Sequence, residues 1–153
     1  MKLFCKGLGT GHPDITNASR RIKKNEFNQC KENGIDVVEI KVGYDGIVIA
    51  NSKKAKLLNL TKRQIFLALA KQVPEGNKEG GNLVDNPNKK WSDIDPNLPN
   101  KKIEVLGPPP TSGTRDAFNE LAIEGGCKTF PKLKAIKKQD KKKYKAICRA
   151  VRE

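Results

Sequence analysis

The chain has 153 residues, 36% hydrophobic and 31% charged, which is enough for one domain of ordinary size with a buried core and too apolar for a disordered polyelectrolyte. Lys and Arg number 31 against 17 Asp and Glu, a net charge of +14 with a pI near 9.7, so the balance favours anionic partners: nucleic acid, acidic lipid or small oxyanions. No apolar run approaches the roughly 20 residues of a membrane span. The first six residues lack the apolar core of an export signal, a pattern expected of a cytosolic protein or of a mature or shortened chain.

In chain order, Gly7-Leu8-Gly9-Thr10-Gly11-His12-Pro13 reads as a strand end and turn. Ile22, Glu26, Phe27 and Cys30 follow a rough helical period, predicting a helix from about Ser19 to Glu32 that Asn33-Gly34 stops. Two strands are predicted next, the β-branched Val37–Val42 and the continuous apolar run Gly46–Ala50, joined by a bend at Gly43-Tyr44-Asp45. Thr61 and Gln64 form a capping box that opens a helix to about Gln72. Residues 74–100 are rich in Pro, Gly, Asn and Asp; a connection this long is expected to be functional or to hold short elements, with Trp91 as its anchor. A strand is predicted over Lys102–Leu106. Gly107-Pro108-Pro109-Pro110 must be irregular. Ser112-Gly113-Thr114 then opens a helix to about Gly125, and an amphipathic helix is predicted from about Lys138 to Val151. The alternation of strands and helices predicts an α/β fold.

Four cysteines, Cys5, Cys30, Cys127 and Cys148, show no C-x-x-C spacing, so zinc and thioredoxin-like redox sites are not indicated. An even count suggests disulfides and an oxidising compartment, the alternative being buried free thiols in a cytosolic protein. Four cysteines allow three connectivities, among which sequence does not choose; the local pairing, Cys5 with Cys30 and Cys127 with Cys148, is the one expected. Lysines cluster late in the chain, at Lys132, Lys134, Lys137, Lys138, Lys141, Lys142, Lys143 and Lys145. Such a run reads first as a solvated helix face. Tyr144 is the only aromatic inside it, whereas stacking on nucleic acid would need several.

Two places combine a helix start, small hydroxyl residues and arginine: Asn17-Ala18-Ser19-Arg20-Arg21 and Thr111-Ser112-Gly113-Thr114-Arg115. Free N–H groups at a helix N-terminus favour an anion, hydroxyls add hydrogen bonds, and the guanidinium fork matches phosphate oxygens. Only six arginines occur in the chain, and three of them lie in these two stretches. Other chemistry is poorly supported. Gly7-x-Gly9-x-Gly11 lacks the spacing of a dinucleotide loop. His12, the only histidine, is better read as a turn residue than as the base of a serine hydrolase, since neither Ser19 nor Ser112 lies in G-x-S-x-G.

Several blocks resemble the periplasmic phosphate-binding proteins of ABC transporters, of the alphaproteobacterial type with paired cysteines. They are Gly11-His12-Pro13-Asp14-Ile15-Thr16-Asn17-Ala18-Ser19-Arg20, Val42–Val48, Leu60–Phe66, Trp91–Pro96 and, most specifically, Pro110–Phe118. They follow the family's order across nearly the whole chain. The resemblance implies a type II periplasmic-binding-protein-like fold, a two-lobed α/β clamshell with phosphate in its cleft. Residues 1–50 would be the tail of the first lobe and residues 51–153 the front of the second. Ser19 and Arg20 would bind phosphate from one lobe, and Ser112, Gly113, Thr114 and Arg115 from the other.

The same resemblance implies a periplasmic solute-binding component that is not an enzyme. It would need no cofactor and no metal, and its partners would be inorganic phosphate and the transporter's membrane permease. Family members carry an additional phosphate loop before, and further strands after, the blocks matched here. The chain is therefore expected to be an internal fragment, with phosphate binding weakened or lost and with self-association by segment exchange. The alternative is a basic interaction module that keeps the scaffold and binds a protein, nucleic acid or an acidic surface; nucleic acid is the least expected of these partners. Nonspecific polyanion binding would fall steeply with salt.

Overall fold

Asn33-Gly34 ends the first helix as its sequence predicts, and the geometry says how. Gly34 has φ +72°; its N–H donates to the carbonyl of Lys31 and that of Ile35 to Cys30, at 3.1 and 2.9 Å. This paired closure satisfies carbonyls that the helix end leaves open, and it seats Ile35 against Cys30. The structure is a computed structural model that describes residues 3–152, and the chain divides into two compact units, the first ending at Ile47 and the second beginning at Val48.

The first unit holds a 3-10 turn at Phe4–Lys6 and helix α1 at Lys24–Glu32. The expected Cys5–Cys30 disulfide joins them. Phe4, Ile22, Ile35 and Val37 pack around it, and Asn33 Nδ2 donates to the carbonyl of Cys5 at 2.7 Å. Two expectations are corrected here. The glycine-rich opening follows a 3-10 turn, not a strand. The helix begins at Lys24, not Ser19, because the Glu26 carboxylate accepts the Lys23 N–H at 2.9 Å and so fixes the first turn.

The strands predicted over Val37–Val42, Gly46–Ala50 and Lys102–Leu106 are not formed as ladders. Val38, Ile40 and Val42 are exposed, Val42 to 97%. The physical reason is that β-branched residues favour a strand only where a neighbour offers ladder bonds and a surface to pack on. Among the described residues no strand pairs with these segments; an isolated bridge between Lys102 and Lys90 is the exception. What sheet there is forms elsewhere, as an antiparallel ribbon of β1 (Gln72–Pro74) and β2 (Leu83–Asp85) with Val73 opposite Val84. The chain keeps a mixed helix and strand content, dominated by helix.

In the second unit, α2 (Lys62–Leu69) opens on the predicted capping box. Thr61 Oγ1 accepts the Gln64 N–H at 3.2 Å, and Gln64 Oε1 accepts the Thr61 N–H at 2.9 Å. The helix presents Ile65, Phe66, Leu67 and Ala68 inward. Its far end is closed by the long connection: Asn86 Nδ2 donates to the carbonyls of Leu67 and Ala70, both at 2.8 Å, and buried Asn88 donates to Leu67 at 3.1 Å. Trp91 is buried as expected, in a 3-10 turn whose Asp93 carboxylate accepts the N–H groups of Lys90 and Lys89, which hold its pKa below the ordinary value.

A continuous helical stretch follows: α3 (Gly113–Phe118), a π-helical turn (Asn119–Ile123) and α4 (Glu124–Cys127). Its packing on α2 is close enough that a Cβ on Gly126 would lie 2.0 Å from the Lys62 carbonyl oxygen. The helix predicted from about Lys138 to Val151 forms as α6 (Lys141–Cys148), and a helix outside that expectation, α5 (Pro131–Gln139), precedes it. Asp140 breaks them, since its carboxylate accepts the N–H groups of Lys142 and Lys143 at 2.9 and 2.8 Å and so caps α6.

Phe66, Phe130, Ile123, Val73 and Tyr144 fill the core of this unit, each worth about 1.5–3 kcal/mol of apolar burial at the scale of such side chains. Burial pushes the Tyr144 hydroxyl up to about 12. The Cys127–Cys148 disulfide ties α4 to α6. Beside it Glu124 is buried; burial opposes its ionisation, but Arg149 Nε at 2.8 Å and Lys128 at 3.2 Å outweigh that and hold the carboxyl below its usual range.

Candidate anion site

Pro108-Pro109-Pro110 cannot continue a ladder or a helix, so the chain arrives at Ser112 through a turn, with the Ser112 N–H donating to the carbonyl of Pro109 at 2.9 Å. Ser112 has extended backbone angles and is the N-cap of α3, its Oγ accepting the Thr114 N–H at 3.2 Å. Gly113, Thr114 and Arg115 therefore occupy the first turn, whose N–H groups have no intrahelical acceptor. Ser112, Gly113, Thr114 and Arg115 are all half-buried. Arg115 Nη1 donates to the Pro108 carbonyl at 3.2 Å, the one protein partner described for this guanidinium, which folds it back over the helix start. Four of the sequence-predicted residues thus come together in a single turn: two hydroxyls, first-turn amides and a guanidinium with donors to spare. That set can hold a small tetrahedral oxyanion.

The other predicted pair is arranged differently. Ser19 is exposed and stands before the helix, not at its start. Arg20 is closed on Glu26, Nη1 to Oε2 at 2.9 Å and Nη2 to Oε1 at 2.8 Å. The two-pronged contact draws the Glu26 carboxyl down to about 2, with the Arg20 hydrogen bonds as the largest cause. Arg21 pairs with Glu39 at 2.7 Å. In this unit the arginines meet carboxylates. Sequence reading missed Glu26 as the partner; its signal was a glutamate at the third position of the helix, three residues after the cap.

His12 lies in a turn closed by its N–H to the Gly9 carbonyl at 3.0 Å, where Gly9 has φ +98°. Among the described residues, no group of His, Cys, Asp and Glu could hold a metal ion, and no helix is long and apolar enough to cross a membrane.

A family model described as the PBP superfamily domain matches residues 1–153. The chain is 30% identical over 122 residues to Protein SphX of Synechococcus elongatus, covering 80% of this chain and 32% of that protein. It is 31% identical over 136 residues to Protein SphX of Synechocystis sp., covering 88% and 36%, and 31% identical over 118 residues to the Phosphate-binding protein PstS of Staphylococcus saprophyticus, covering 76% and 32%. It therefore spans about a third of the length of these relatives. No solved structure matches.

Proposed function

The chain belongs to the PBP superfamily, and from that premise we infer that it serves inorganic phosphate binding, as part of the solute-binding component of an ABC phosphate transporter. The observation that carries the reading is the turn at Ser112-Gly113-Thr114-Arg115, where capping hydroxyl, first-turn amides and guanidinium converge within four residues of sequence. Phosphate is the anion that uses this set fully: three or four oxygens, geometry suited to a guanidinium fork, and charge that the helix start favours. The relative named Phosphate-binding protein PstS supports the choice of ligand. The role is binding and delivery to a membrane permease, not catalysis.

Ser19 and Arg20 are a second half-site in this reading, and they bind phosphate only when Arg20 exchanges Glu26 for the ligand. The two units correspond to the tail of one lobe and the front of another in a clamshell. The two disulfides support folding in an oxidising compartment such as a periplasm. Exposed, unpaired β-branched segments support the expectation that flanking strands, or a second copy by segment exchange, cover them.

Calorimetric titration with phosphate tests the reading, on this chain and on a chimera that adds the flanking segments of a relative. Heat that saturates with phosphate in either protein, and is absent with chloride at the same ionic strength, supports it. No phosphate heat in the chimera would contradict it.

A further inference from the structure

We propose that the α5–α6 hairpin is a docking surface for an anionic phospholipid membrane. Eight lysines lie between residues 132 and 145, all of them exposed. Two are committed within the protein: Lys132 donates to the Gly80 carbonyl at 2.7 Å, and Lys137 reaches Glu124 at 3.4 Å and lies over the Tyr144 ring. The other six, Lys134, Lys138, Lys141, Lys142, Lys143 and Lys145, meet no carboxylate among the described residues. The hairpin's only acidic residue, Asp140, is spent capping α6.

Lys134 and Lys138 are four apart on α5, and Lys141 and Lys145 four apart on α6, so each helix carries like charges at the spacing that weakens it. A cluster of four to eight lysines held on amphipathic helices matches the electrostatic footprint of an anionic bilayer.

Three observations choose the bilayer over other anions. Tyr144, Leu133 and Cys148 are buried, so the hairpin turns no aromatic outward on which bases could stack. The outer face is dominated by lysine and carries no exposed arginine or aromatic, whereas specific protein interfaces are depleted in lysine and enriched in arginine and aromatics. Lysine is a hydrated point charge on a flexible stem and suits a diffuse sheet of headgroups better than a fixed partner. Finally, α6 is closed by the Cys127–Cys148 disulfide, which belongs to an oxidising compartment, where a membrane leaflet is the extended polyanion at hand. With the apolar stripe committed to the core, attachment is electrostatic and reversible, without insertion.

The test is co-sedimentation of the whole chain with phosphatidylcholine vesicles containing about 30% phosphatidylglycerol, at about 0.1 M salt, where exposed charges are screened beyond roughly 10 Å. The chain is expected to bind these vesicles and not pure phosphatidylcholine. Replacing Lys134, Lys138, Lys141 and Lys145 by Gln should weaken binding by roughly 100-fold or more, each lysine near an anionic surface being worth several-fold. Replacing exposed Lys53, Lys54, Lys56 and Lys89 by Gln removes the same net charge and should cost less than about ten-fold. Circular dichroism of both variants should match the parent; if the hairpin variant is misfolded, Lys138→Gln with Lys142→Gln gives a milder form of the same comparison. Equal losses in the two sets would overturn the proposal in favour of bulk charge. Absence of binding to the anionic vesicles would overturn it outright, and so would duplex DNA outcompeting vesicles of equal charge concentration through the same lysines.

Discussion

Arg20 and Glu26 meet through two parallel hydrogen bonds, 2.9 and 2.8 Å long, and the same carboxylate caps α1 through the Lys23 N–H. One side chain thus holds the entry to the helix and occupies the guanidinium. Because Glu26 is drawn from 4.5 to about 2 in the folded state, its contribution to stability is complete above its unfolded pKa and is lost as pH falls through the folded one. The window is therefore between about pH 4.5 and pH 2. Denaturant melts across that range should show a steeper fall in stability for the parent chain than for Glu26→Gln, which is less stable at pH 7 and converges with the parent near pH 2. Parallel curves would contradict the pairing.

Gly126 faces α2 with no room for a methyl group: its Cβ would lie 2.0 Å from the Lys62 carbonyl oxygen and 2.6 Å from Phe66 Cβ. Gly126→Ala should destabilise by about 3 kcal/mol, at the upper end of overpacking costs. At Gly125 a Cβ would meet the flexible Lys62 side chain, Cδ at 3.1 Å, with no backbone atom among its close neighbours. Gly125→Ala should therefore be near neutral. Chemical denaturation of both variants measures the contrast, and similar losses would refute the close helix contact.

Local signals read well from this sequence, and long-range ones did not. The Thr61–Gln64 capping box, the Ser112 cap and the Asn33-Gly34 stop each depend on a few neighbouring residues, and each appears with its hydrogen bonds in place. Val37–Val42 carries an equally clear β pattern, but a strand is made by its partner, and periodicity along one segment says nothing of whether a neighbour is present. The reading of the last helix from Lys138 starts two residues before its Asp140 cap, and α5 escapes it because four lysines in nine residues leave only a thin apolar stripe. At the candidate site, the grouping of Ser112, Gly113, Thr114 and Arg115 follows from sequence adjacency. The Pro108 and Glu26 contacts of the two arginines depend on how the chain returns.

The Cys5–Cys30 and Cys127–Cys148 bridges close segments of 25 and 21 residues. By the chain-entropy estimate each adds about 3 kcal/mol. Mass spectrometry of unreduced digests should recover both linked peptides, and a reducing agent should lower the melting temperature of each unit. Four alkylatable thiols in protein isolated from an oxidising compartment would contradict both bridges.

Val38, Ile40, Val42 and Leu106 are exposed and lie in segments with no ladder partner among the described residues. Unpaired backbone next to exposed apolar side chains is prone to strand addition. The chain should therefore self-associate as its concentration rises. Light scattering checks this, and a constant monomer mass at high concentration would count against it.

In the proposed function, phosphate is recognised by the local geometry of the Ser112-Gly113-Thr114-Arg115 turn. The most direct measurement is the phosphate affinity of Arg115→Ala beside that of Lys53→Ala, which removes the same formal charge from an exposed residue outside the turn. Loss of the arginine's charge-assisted bonds, about 1.5–3 kcal/mol each, predicts a weakening of roughly ten-fold or more, with Lys53→Ala close to the parent. Equal weakening by the two substitutions, or full affinity in Arg115→Ala, would contradict the claim.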